Sequence, residues 1–156
     1  NSVMSFKGFD LSIFFQGSQG NDLVNISSVG NTLHYGYGDN MLKEVFYDHW
    51  SPTNTNAKYP KISRTQTLFF SNRYVEDGSY LRLRNIEAAY NIPVRASWIR
   101  NARIYVSGQN LLTITKYSWW DPEVNSMGGS SPLGQGIDHS TYPTAKSVTF
   151  GVQLGF

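Results

Sequence analysis

The chain has 156 residues, with aromatic and charged residues each at 15%, against roughly 25% charged in an average soluble domain. A formal charge of +2, spread without a basic run, argues against a nucleic-acid or polyanion partner. The absence of cysteine excludes disulfides and thiolate metal sites, and no run approaches the roughly 18 apolar residues of a membrane-crossing helix.

In chain order, the opening "NSVMSFKGFD" has no signal-peptide pattern, and Phe6 already belongs to a strand-like pattern. The start therefore reads as a cut within a longer chain. A first strand is expected over about 5–17, because Phe9, Leu11, Ile13 and Phe15 are apolar while Asp10, Ser12 and Gln16 are polar, the two-residue period of a half-buried strand. A long stretch rich in Gly, Ser, Asn and Pro follows over 18–78. Within it "DNMLKEVFYDHW" places Met41, Leu42, Val45, Phe46 and His49 on one helical stripe, with Asp39 or Asn40 as cap. One short amphipathic helix packing over the loop is expected there.

The second strand, 79–92, changes phase: Leu81 and Leu83 are odd, whereas Ile86, Ala88, Tyr90 and Ile92 are even. A slip between Arg84 and Asn85 is what a β-bulge supplies. After the short "VRASWIRN" comes a third strand over 102–115, with Ala102, Ile104, Val106, Gly108, Leu112 and Ile114 on one face and Asn110 as the exception. A second long connection, 116–146, leads to a last strand, 147–156, in which Val148, Phe150, Val152, Leu154 and Phe156 alternate to the final residue.

Long connections alternating with short turns suit a transmembrane β-barrel. Trp98, Tyr90 and Phe156 would then lie near one membrane interface and Tyr117, Trp119, Trp120 and Tyr142 near the other. A soluble β-sandwich also alternates, and there Trp119 and Trp120 could stack on sugar rings. In a barrel, Phe9, Leu11, Ile13, Phe15, Ile104, Val106, Phe150 and Val152 face lipid and Asp10, Arg82, Arg84, Glu87 and Arg103 face the lumen. In a sandwich the charged set faces water and the apolar set interdigitates with a second sheet.

Catalytic patterns are missing, and neither a catalytic residue nor a cofactor is expected. His34, His49 and His139 lack metal-ligand spacing. Asp138, His139 and Ser140 are consecutive, and neighbours on an extended chain point apart. "GSQGND" and "YGYGDN" lack the remainder of a phosphate loop. Asp121, Glu123 and Asp138 have no calcium-loop spacing and read as solvated loop charge.

The runs "DGSYLRLRNIEAAYNIP", "RIYVSGQNLLTITKYSWWDPEVN" and "GIDHSTYPTAKSVTFGVQLGF" closely resemble the C-terminal end of SusC/RagA-family TonB-dependent transporters of Bacteroidetes outer membranes. "DLSIFFQGSQGND" and "WSPTNTNAKYPK" resemble them too. The resemblance implies an all-β fold, the C-terminal arc (1–156) of a barrel of about 22 strands whose plug and N-terminal strands are absent here. It also implies a SusD-like lipoprotein lid and import of glycan or peptide fragments powered through TonB, which would act on the missing plug region. The C-terminus would be periplasmic and the long loops extracellular. A barrel serving as a structural member of an envelope complex is the other reading of the same fold. Outer-membrane barrels commonly end on an alternating strand with a terminal aromatic. Val148, Phe150, Val152, Leu154 and Phe156 are therefore expected to be a signal to the barrel-assembly machinery, read by strand addition.

Overall fold

The computed structural model describes residues 1–33, 40–63, 71–95, 98–124 and 134–156. The alternating stretches form β1 (Ser2–Phe6), β2 (Phe9–Ser18), β5 (Tyr80–Ile92), β6 (Asn101–Thr115) and β8 (Ser147–Gly155). They lie in the order β1-β2-β5-β6-β8, antiparallel at every pairing, as an open sheet. The single strand expected over 5–17 is two strands. Lys7 and Gly8 have φ of 47° and 87°, the positive values that a two-residue type I′ hairpin requires, so Phe6 pairs with Phe9 across them.

The phase slip is a bulge, and it keeps the sheet two-faced. Against β2, the pairing passes from Phe14↔Asn85 to Phe15↔Leu83, which leaves Arg84 without an opposite. Against β6 it passes from Asn85↔Gln109 to Leu83↔Leu112, so Arg84 stands across from Asn110 and Leu111. Asn110 takes a φ of 53°, and its side-chain amide donates to the Ala145 carbonyl at 3.0 Å. Without the extra residue Leu81 and Leu83 would turn to the opposite face from Ile86 and Ala88.

One cross-strand joint on the other face is very close. Tyr105 lies opposite Gly151, and a Cβ built on Gly151 would overlap the Tyr105 ring. The absence of a side chain is what lets the ring lie down on the neighbouring strand.

Residues Asp22–Asp77 and Tyr117–Tyr142, which lie within the two long connections expected over 18–78 and 116–146, form a second compact unit. Its elements are β3 (Asp22–Asn25), α1 (Ile26–Leu33), α2 (Lys43–Tyr47), a 3₁₀ turn (Asn72–Tyr74), β4 (Val75–Asp77) and β7 (Ile137–Asp138). β3 pairs antiparallel with β4 and parallel with β7. The Asn25 side-chain oxygen accepts from Ser28 N–H at 2.8 Å, an N-cap that starts α1, and Val29 and Leu33 pack with Tyr74 in a small core. The expected helix corresponds to α2, which is shorter. It is preceded by Leu42 with no side-chain cap, so Asn40 does not start it, while Asp39 lies outside the described residues. Val45 is buried but Phe46 is 58% exposed, so the stripe covers less than its width suggested.

Candidate functional site

The candidate site is the five-stranded sheet read as a wall with two chemistries. Directly opposed residues on antiparallel strands share a face. Phe9, Tyr90, Ile104 and Val152 therefore form one apolar row, and Leu11, Ala88, Val106 and Phe150 form the next. Ile13, Ile86, Gly108 and Val148 follow, and beyond the bulge come Phe15, Leu83 and Leu112. Phe150 is 78% exposed, Val152 70% and Phe9 61%. These side chains are not interdigitated in a closed core, as a sandwich would require. An uncovered apolar surface of this extent marks an interaction face, toward a membrane or another protein surface.

The opposite face is polar. Arg103 donates to Glu87 at 2.7 Å, with both side chains part-exposed, and its guanidinium lies 5.8 Å from the centre of the Tyr105 ring. Asp10 accepts from the Ser5 hydroxyl at 2.6 Å and the Asn91 amide at 2.7 Å. Arg82 is only 2% exposed, donating to Thr113 at 2.9 Å and Thr144 at 3.1 Å, while Arg84 reaches Asn110 at 3.4 Å. The five charged residues expected on this face thus carry its charge, but Arg82 is packed into the wall instead of being presented to solvent.

At the end of the sheet where the short connections lie, Phe9 and Tyr90 meet at 4.5 Å between ring centres, and Trp98 stacks on Phe156 at 6.1 Å. Arg100 N–H closes onto the Gly155 carbonyl at 2.8 Å. At the other end Ser18, Tyr80 and Thr115 lie level, so the first long connection leaves and rejoins there and the second leaves there, rejoining at Ser147 opposite Gln109.

In the second unit the consecutive Asp138, His139 and Ser140 do not converge on a reacting centre. Asp138 is fully buried and accepts from the Tyr117 hydroxyl at 2.7 Å and Thr141 N–H at 2.8 Å, whereas His139 is exposed. Asp121 is buried and accepts from Glu123 N–H at 2.9 Å. The reading of Asp121 and Asp138 as solvated loop charge is therefore corrected: both are structural acceptors. Burial, followed by donation to Asp138, pushes the Tyr117 phenol far above its ordinary pKa range, and Tyr117 is a buried tie instead of an interfacial aromatic. Trp119 and Trp120 stack on each other at 5.7 Å. His49 is held through Nδ1 by the Phe46 carbonyl at 2.8 Å, and His34 lies outside the described residues. Among the described residues no cluster of His, Asp or Glu could hold a metal. The Asn25 cap, the Lys7–Gly8 turn and the Tyr105–Gly151 joint were not found by sequence reasoning, although Asn before Ile26–Leu33 and the pair Lys-Gly between two Phe are recognisable signals.

No family model matches the chain. Two TonB-dependent receptors of Formosa agariphila do: P3 is 36% identical over 100% of this chain, and P26 is 30% identical over 99%. TonB-dependent receptor SusC of Bacteroides thetaiotaomicron is 27% identical over 99%. A solved structure of the RagAB peptide transporter superposes with a TM-score of 0.80 and 29% identity, over 97% of this chain and 16% of that one. This chain is of the SusC/RagA type of TonB-dependent receptor. It spans 16% of the length of P3 and P26 and 14% of SusC, and its open sheet matches part of a transporter β-barrel of that type. SusC/RagA-type relatives are named as receptors and transporters, not as enzymes.

Proposed function

We propose that this chain is the C-terminal arc of a TonB-dependent outer-membrane importer, with residues 1–156 forming part of the barrel wall and its loops. The separation of the two faces, row by row across the sheet, carries the reading. An open sheet cannot be left in lipid with unpaired edges, so β1 and β8 join strands outside this chain to close the barrel. The apolar rows contact lipid, and Asp10, Arg82, Arg84, Glu87 and Arg103 border the lumen and its plug. The short turns are periplasmic. The segments Asp22–Asp77 and Tyr117–Tyr142 are extracellular, where a SusD-like lipoprotein meets them and peptide or glycan fragments enter. TonB acts through the plug. Val148, Phe150, Val152, Leu154 and Phe156 present the strand to the barrel-assembly machinery.

Similarity to SusC and to the RagAB peptide transporter supports import over a purely structural envelope role. Single cysteines at Thr55 and Arg95 in the full-length protein test the orientation. A membrane-impermeant maleimide on intact cells labels Thr55→Cys and spares Arg95→Cys until the outer membrane is opened. The reverse pattern overturns the reading.

A further inference from the structure

The apolar face has a depression toward its turn end. It is lined by Phe9, Ala88, Tyr90, Ile104, Phe150 and Val152 among others and has a volume of about 550 Å³. It exists because Ala88 interrupts a row otherwise made of Leu11, Val106 and Phe150, so large side chains stand around a methyl group. No charged side chain lines it, which leaves a polar solute nothing to bind. It continues directly into the exposed apolar rows.

The two turns at this end supply the complementary half of a site. The β1–β2 turn carries Lys7, and the β5–β6 connection carries Arg95 and Arg100. All three are exposed, and neither turn contains Asp or Glu. Among the described residues, Lys7, Arg95 and Arg100 form no ion pair. The Lys7 ammonium sits 5.3 Å from the centre of the Phe6 ring, beside the apolar face. A greasy groove ending under three unpaired cations fits a molecule with a hydrocarbon chain and an anionic head.

We infer that this end of the wall holds an anionic phospholipid, with an acyl chain in the Ala88 depression and its phosphate headgroup among Lys7, Arg95 and Arg100. The inference rests on the proposed lipid-facing orientation of the sheet and adds to it a fixed position and a headgroup preference. The aromatic pairs Phe9–Tyr90 and Trp98–Phe156 lie at the level where headgroups and hydrocarbon meet.

The full-length protein is tested in nanodiscs containing phosphatidylglycerol or phosphatidylethanolamine bearing a photoactivatable group in the acyl chain, at equal mole fraction and low ionic strength. The phosphatidylglycerol probe should label peptides containing Phe150 and Val152 several-fold more. Lys7→Gln, Arg95→Gln and Arg100→Gln should each cut that preference up to about fivefold. Ala88→Phe should reduce labelling there by either probe while labelling of peptides around Leu112 persists. Heat-modifiable migration confirms that each variant is folded. Equal labelling by the two probes, unchanged in the charge variants, would overturn the inference while leaving the lipid-facing wall intact. Protection of Phe150 and Val152 from both probes, as a second copy or another protein would give, overturns the orientation itself.

Discussion

The sheet and the second unit solve the burial problem in opposite ways. Among the described residues, the large buried apolar side chains Leu23, Val29, Leu33, Val45, Tyr59, Tyr74 and Tyr117 all belong to the second unit, whereas the sheet's buried apolar residues are Ala89 and Ala102. The second unit follows the logic of a small water-soluble fold, with its carboxylates tied by donors: Glu76 accepts from Asn25 at 2.9 Å and from Ser118 N–H at 2.8 Å. The sheet leaves its largest side chains uncovered and satisfies its backbone by strand pairing. A single hydropathy rule cannot describe both, because the sheet leaves its apolar residues uncovered, as the proposed lipid-facing wall requires, and the second unit buries its own against one another.

This contrast can be broken at its strongest point by charging the two faces of one strand. Val106→Arg in the full-length protein should destabilise the inserted barrel by about 2–4 kcal/mol, while Ser107→Arg, on the other face, should leave it nearly unchanged. Denaturant titration of barrels refolded into vesicles measures the difference, and equal costs would mean that the faces are not separated by solvent. A smaller effect should stay within the second unit. Tyr117→Phe removes a donor from buried Asp138 and should cost about 1–3 kcal/mol, read as faster amide exchange in β7 and α1 with β5 and β6 unaltered. Because the folded state raises the Tyr117 pKa, the stabilisation from the neutral phenol is complete below the ordinary tyrosine pKa of about 10 and is lost as pH climbs beyond it. Wild type should therefore loosen in alkali more steeply than the Phe variant. The smallest effect belongs to the exposed Lys58–Glu44 pair at 3.6 Å: Lys58→Ala should change exchange in α2 by no more than about 1 kcal/mol.

The sheet was legible in the sequence because a strand wetted differently on its two faces writes its period into every second residue, and the Arg84 slip showed as a break in that period. The two-faced assignment of Asp10, Glu87 and Arg103 followed from the same alternation. The second unit was not legible for the converse reason. Its strands run to four residues or fewer, too short to show a period, and β3 meets β7 through Val24↔Ile137 and Asn25↔Asp138, pairs far apart in sequence. α1 contains Gly30 and β-branched residues, which weaken local helix preference, and tertiary packing of Val29 and Leu33 overrides that weakness. The burial of Arg82 and Asp138 depends on Thr113, Thr144 and Tyr117, partners contributed by other segments, which no local pattern announces.

The Tyr105–Gly151 joint bears on how such walls can diverge. Any side chain at position 151 must displace the ring opposite, and any loss of the ring uncovers a glycine in the neighbouring strand. The two positions are therefore free to change only as a pair. In an alignment of related walls, bulk at position 151 should be accompanied by a small residue at 105, so that this one contact constrains which ancestral substitutions could occur and in which order.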